Sequence, residues 1–153
     1  MRERRRNFYK IGREAAGLTQ EVAAEALDIS VRSLAAYENN EVIPKDDIVE
    51  NMVKLYKTKI LGLQHLRNTS RLARECLPEV IPPESNADVY LQAVISEDDI
   101  AVVTKVLKEL LADGKITKDE LEAYEKVRLT AKSAAGRLMS ISNFEPEVSE
   151  VGE

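Results

Sequence analysis

The 153-residue sequence holds no tryptophan, two phenylalanines, one cysteine, one histidine, five prolines and six glycines. Each scarcity excludes something. One cysteine, Cys76, forbids an internal disulfide and suits a reducing compartment. The lone histidine, His65, stands eleven residues before it, roughly 16 Å away on a continuous helix, too far for a nucleophile–base pair or a shared metal. Runs of β-branched and aromatic residues are scarce, which predicts almost no sheet and leaves no strand for a Gly-rich phosphate loop to follow. No window approaches the roughly 18 apolar residues of a membrane span. The opening Met-Arg-Glu-Arg-Arg-Arg is charged and no apolar stretch follows, unlike a secretory signal. A cytoplasmic, all-α, non-enzymatic protein with no cofactor and no bound metal is expected.

What is present is 44% apolar and 32% charged, as in a soluble helical protein. The net charge of −5 averages two unlike halves. Residues 1–75 carry 14 Lys and Arg against 11 Asp and Glu, a net of +3; residues 76–153 carry 8 against 16, a net of −8. Contact with a polyanion, if made, belongs to the first half.

Helical spacing recurs along the chain. After a basic arm over 1–7, Phe8, Ile11, Ala15 and Ala16 mark a first helix that Gly17 closes. Thr19 caps a second over 20–27, with Val22, Ala23 and Leu27 on one face. Ser30 caps a third over 31–39, its apolar face Leu34, Ala35 and Tyr37. Pro44 breaks the chain, and Asp46 or Asp47 opens a fourth through Ile48, Met52, Val53, Leu55 and Tyr56. Residues 60–76 (Ile60, Leu63, Leu66, Leu72, Cys76) continue as a connecting helix. Three prolines within 78–83 mark a boundary.

Beyond it, Ser96 with Asp99 resembles a helix cap, followed by Ile100, Val103, Leu107 and Leu110. Asp113-Gly114 turns the chain, and Thr117 with Glu120 forms a capping box. A last helix carries Tyr124, Val127, Ala131, Ala134, Leu138 and Ile141. These two seams predict an antiparallel helical hairpin. The turn imitates a calcium loop, but with Gly114 at loop position six an oxygen ligand is required where Leu111 stands, so no calcium site is expected.

Gly17-Leu18-Thr19-Gln20, Ala23 at the centre of the second helix, the short turn into Ser30, Tyr37-Glu38-Asn39 ending the third helix, and Pro44 resemble the lambdoid phage repressor/Cro-like (Xre-type) helix-turn-helix regulators over residues 7–58. Small side chains at Ala23, Ala24 and Ala35 let two short helices cross closely, while Leu27, Ile29 and Leu34 fill the core.

The resemblance implies a third helix that enters the DNA major groove by its first turn. Carried over residue by residue, it assigns Gln20 to a backbone phosphate, with the helix N-terminus adding free N–H groups. It assigns Val31, Arg32 and Ser33 to base-facing positions, with Ala36 one turn further on and the cap Ser30 also among the DNA-binding residues, and Asn39 and Asn40 to a phosphate-contacting turn. Arg32 is the foremost reader, by guanine O6 and N7, or else a phosphate contact. Val31 touches a thymine methyl or packs on a neighbour. Arg13 and Glu38 fall where the family has a structural ion pair. Asn40 replaces the family's usual glycine, a substitution Asn tolerates in left-handed backbone. Arg2, Arg4, Arg5, Arg6 and Lys10, net +4 after Glu3, form an arm for a phosphate or minor groove, or a solubilising end.

The expected architecture is thus all-α: a five-helix lambda-repressor-like DNA-binding domain with its connecting helix (1–76), a Pro-rich hinge and linker (77–95), a helical hairpin (96–142) and an acidic disordered tail (143–153). The expected function is sequence-specific transcriptional regulation, as a repressor of prophage type on double-stranded DNA. A homodimer through the C-terminal helices is expected, because a lone hairpin buries too little apolar surface. The alternative is an antitoxin or adaptor that binds a protein through that hairpin.

Overall fold

The computed structural model describes residues 7–146 and Val148, and the described residues hold helices and no strand. The chain divides into two compact units, Met1–Arg74 and Glu75–Glu153.

In the first unit each short helix is delimited by its own side chains. Helix α1 (Phe8–Ala15) begins where Asn7 Oδ1 accepts the Lys10 N–H. Thr19 caps α2 (Gln20–Ala26) and Ser30 caps α3 (Val31–Glu38) through their hydroxyls, each satisfying an N–H that a helix start leaves without a partner. The exits share one geometry. Gly17, Asp28 and Asn40 have φ of +69°, +53° and +59°. At each, two N–H groups turn back to the last helical carbonyls: Leu18 to Arg13 and Gly17 to Glu14, Ile29 to Ala24 and Asp28 to Glu25, Glu41 to Ala36 and Asn40 to Tyr37. This is the Schellman exit. Helix α4 (Asp46–Tyr56) ends on Lys57, also left-handed at φ +52°. That break separates α4 from α5 (Lys59–Thr69), and Ser70, accepting the Ala73 N–H, divides the expected connecting helix into α5 and α6 (Arg71–Cys76).

The core gathers Tyr9, Ala23, Ala24, Leu27, Leu34, Val49, Met52, Tyr56 and Leu61. Several residues expected inside lie outside. Ile11, Val22, Leu66 and Leu72 are exposed, as are Ala15 and Cys76. Tyr9, Val49 and Leu61, each next to an expected residue (Phe8, Ile48 and Ile60), are buried. Gly12 lets α1 approach α5, since a Cβ there would meet Leu61 Cδ1 at 2.9 Å. His65 is buried. The Asp46 carboxylate can only accept, so His65 Nε2–H donates to it at 3.0 Å and Nδ1 accepts the Tyr9 hydroxyl at 2.7 Å. One ring thereby ties α1, α4 and α5 together. Burial, then the charge of Asp46, pushes the Tyr9 phenol far above its ordinary pKa.

The second unit is a hairpin of α7 (Asn86–Leu110) and α8 (Leu121–Ser142). Helix α7 starts eleven residues before the expected one, capped by Ser85 instead of Ser96. Ser85 Oγ accepts the Asp88 N–H and Asp88 Oδ2 accepts the Glu84 N–H, so Ser85 and Asp88 make the cap expected of Ser96 and Asp99. Those two instead lie mid-helix: Ser96 Oγ donates to the Gln92 carbonyl and accepts from Arg137 Nε, and Asp99 pairs with Arg137 Nη2. Small residues let the hairpin close, with Ser96, Ala134 and Ser140 buried, whereas the expected seam residues Ile100, Ala131 and Leu138 are exposed.

The stretch 77–85, expected as a hinge, packs along α8. Pro78, Val80 and Pro83 are buried, and a Cβ on Gly136 would collide with the Glu79 carbonyl oxygen. Of the expected disordered tail, Asn143 caps α8 by donating to the Met139 carbonyl. Residues 147 and 149–153 lie outside the described residues, as do Arg2, Arg4, Arg5 and Arg6 of the basic arm.

A left-handed backbone costs an ordinary L-residue about 1–2 kcal/mol. Gly17→Ala, at a position with open space around it, is expected to lower unfolding stability by about that amount. Lys57→Gly is expected to raise it by up to about 1 kcal/mol, part of the relief being offset by glycine's entropy. Urea titration followed by circular dichroism measures both; shifts of the same sign would contradict this cause.

Candidate nucleic-acid interface

The third helix is held from behind. Leu34 is fully buried and Glu38 nearly so, and these two define its inner face. Glu38 receives three N–H donors: Arg13 Nε at 2.6 Å and Arg13 Nη2 at 3.0 Å as a fork, and Gln20 Nε2 at 2.8 Å. The same guanidinium donates through Nη1 to the Leu18 carbonyl at 2.6 Å. One buried cation therefore joins α1, the turn after it, and the end of α3, with the start of α2 drawn in through Gln20. The Glu38 carboxylate stabilises the charged Arg13 and raises its pKa, outweighing the desolvation that opposes it. Arg13 and Glu38 are thus the ion pair expected of them.

A second clamp has no counterpart among the motifs. Asn7 Nδ2 donates to the Tyr37 carbonyl at 2.8 Å and to Asn40 Oδ1 at 3.0 Å. The residue that caps α1 therefore also fastens the turn leaving α3. The signal available in the sequence is an asparagine immediately before an apolar helical pattern, inside the stretch read as a basic arm.

With its inner face occupied, α3 presents Val31, Arg32 and Asn39 as exposed residues and Ala36 as half-buried. At 100° per residue Arg32, Ala36 and Asn39 share one outer face, while Val31 lies in line with Glu38 and is exposed at the first turn of the helix. Arg32 has no ion-pair partner among the described residues. Ser33 turns aside: its backbone N–H and its hydroxyl both meet Ser30 Oγ, at 3.0 and 2.8 Å. Gln20 is half-buried and one of its amide hydrogens goes to Glu38; the second hydrogen of that amide is left to donate. Asn40 is exposed, with its oxygen on Asn7 and its amide nitrogen open to solvent. The α3–α4 connection adds exposed Val42 and Ile43, half or more accessible, which sequence periodicity does not single out because they lie outside any helix.

Residues 10–63 match the family model described as helix-turn-helix. No curated protein and no solved structure matches the chain. Over residues 10–63 the first unit is thus similar to helix-turn-helix domains, and the coarse function that similarity supports is that of a DNA-binding regulator. No helix among the described residues is long and apolar enough to cross a membrane.

Two outcomes follow for the ion pair and its neighbour Tyr56. Glu38→Gln leaves the Arg13 charge buried without its counter-ion and is expected to cost about 3–5 kcal/mol of unfolding stability. The apolar double replacement Arg13→Met with Glu38→Leu should recover most of that loss in urea titrations; equal loss in both variants would contradict it.

Burial, then the charge of Glu38, pushes the Tyr56 phenol up to about 12 from its ordinary value of 10.0. The folded state thus retains a proton that the unfolded chain releases first. The resulting stability is complete below the unfolded pKa and is lost as pH rises through about 12. Among the described residues the buried Tyr56 hydroxyl also has no hydrogen-bond partner. Tyr56→Phe is therefore expected to fold at least as stably at neutral pH and to lose less stability in alkali, as thermal melts over an alkaline pH series would record.

Proposed function

We propose that this protein is a sequence-specific transcriptional regulator, a repressor of prophage type, that lays the outer face of α3 in the major groove of double-stranded DNA. The observation that carries this is the division of labour on α3. Its inner face is locked by Leu34 and the Arg13–Glu38 pair, while Arg32, Ala36 and Asn39 share the open side and Val31 is exposed at the helix start.

Arg32 is the principal base reader. Its fork matches guanine O6 and N7, and at the first turn of the helix it extends into the groove. Val31 supplies apolar contact to a thymine methyl. Gln20 donates its remaining amide hydrogen to a phosphate, with Glu38 fixing the orientation of the amide. The free N–H groups at the start of α2 add a favourable field for the same phosphate. Asn39 and the Asn40 amide nitrogen face the neighbouring backbone. Ser30 and Ser33, paired with one another, fix the helix start more than they read bases. With few polar groups on the recognition face, DNA shape and phosphate contacts supply much of the affinity. The arm of Arg2, Arg4, Arg5 and Arg6 adds non-specific attraction. Two copies set their α3 helices about 34 Å apart on paired half-sites.

Site selection from random duplexes followed by fluorescence anisotropy tests this. Arg32→Ala is expected to weaken binding to the selected site by about 1–3 kcal/mol, roughly 5- to 150-fold in Kd, with specificity relaxed at one base pair. Affinity should fall steeply as salt is raised. An Arg32→Ala protein that binds DNA as the parent does would favour an adaptor or antitoxin acting through the acidic hairpin. A reporter carrying the selected site separates repression from activation.

A further inference from the structure

The two helices of the second unit are covered unequally. Helix α8 meets α7 on one side and the 78–80 segment at Gly136 on another. Helix α7 turns Ser96, Asp99 and Leu110 toward α8 and, among the described residues, has no such cover on its opposite side. That side is apolar. Tyr90, Leu91, Val94, Ile95 and Val102 are 73%, 54%, 37%, 40% and 54% exposed, and at 100° per residue they fall on one stripe with exposed Ala87 and Ala101.

Together these residues leave roughly 500 Å² of largely apolar surface on one helix, in the range of the largest patch on a typical monomer, which is often functional. The stripe has one charge within it, Asp98, which is exposed.

We infer that this stripe is where a second copy of the chain docks, α7 against α7 across a two-fold axis near Val94 and Ile95. The area argues for a copy. Face to face, two such stripes hide roughly 1,000 Å², the lower bound of a specific interface, and a single two-fold contact uses the same patch on both partners. The inference rests on the DNA-regulator proposal only for its purpose, since half-site pairs require two recognition helices. Its charge pattern is distinctive. Residues 76–153 carry a net of −8, so two copies repel one another, and the docking sets each Asp98 against Leu91 of the second copy, where its charge loses water without a counter-ion. Salt therefore strengthens this association while it weakens DNA binding.

Sedimentation velocity of the full chain at tens of micromolar tests it. The parent is expected to be a dimer that tightens with added salt. Ile95→Glu and Tyr90→Glu, both at exposed positions, should weaken dimerisation at least tenfold by burying a charge, with unchanged helical circular dichroism. Asp98→Asn should tighten it several-fold, and Leu129→Glu, on exposed α8 surface, should leave it unaltered. A monomeric parent, a dimer indifferent to both Glu variants, or equal disruption by Leu129→Glu would overturn the inference. Anisotropy on a duplex with a single half-site separates the two proposals. If Arg32→Ala weakens that binding while the parent is monomeric, the docking face is wrong and DNA reading stands. A dimer that Ile95→Glu dissociates, in a protein that binds no DNA at all, leaves the docking face standing and removes DNA reading.

Discussion

The first unit depends on one buried charge. Arg13 is withdrawn from water, and an isolated guanidinium there would be prohibitively costly. Four N–H···O contacts remove that problem: two from its fork to Glu38, one from Arg13 to Leu18, and one from Gln20 to the same carboxylate. Because the partners come from α1, the turn after it, the start of α2 and the end of α3, satisfying the charge fixes the mutual placement of three short helices. Apolar packing around Leu34 and Ala23 tolerates small slips. A forked, charge-assisted contact does not, because its geometry admits one orientation. The outer side of α3 is therefore presented in a fixed attitude before any partner arrives.

Helices of seven and eight residues are too short to persist alone. Here they persist because both ends of each are closed, by Asn7, Thr19 and Ser30 at the starts and by left-handed exits at Gly17, Asp28 and Asn40. The closure also aims the chain, since each exit reverses it within two residues. Asn7 joins the two functions, capping α1 while gripping the turn after α3. Asn40 occupies a position that needs positive φ and keeps an amide nitrogen at the surface, which glycine would not provide.

The second unit is built differently. Its helices are 25 and 22 residues long and close on small and polar contacts, Ser96 with Arg137 and Asp99 foremost. Leu110 and Val127 are buried as well, while Tyr90, Leu91, Ile100 and Val102 stay on the outside. The stretch rich in proline is held against Gly136, where only a residue without a side chain lets the Glu79 carbonyl come close.

Residue order alone was enough for the elements whose signals are local. Caps at Thr19 and Ser30, the glycine exit at Gly17 and the helix-turn-helix spacing from Gly17 through Pro44 were all legible, because each rests on residues whose chemistry acts within a turn or on a pattern of fixed spacing; the Arg13–Glu38 pairing, 25 positions apart, was legible only through the family resemblance. Packing settled what periodicity leaves degenerate. Ile11 and Val22 lie outside while Tyr9 and Val49 lie inside, because a stripe of apolar residues does not say which edge of it a neighbour covers. Two Ser-x-x-Asp cap signals, at 85 and 96, compete for one helix start; the first prevails because nothing between them stops the helix and Arg137 on α8 engages Ser96. His65, the Asn7 clamp and the bond from Gln20 to Glu38 link residues 18 to 56 positions apart, and only the folded chain brings such partners within reach of a hydrogen bond.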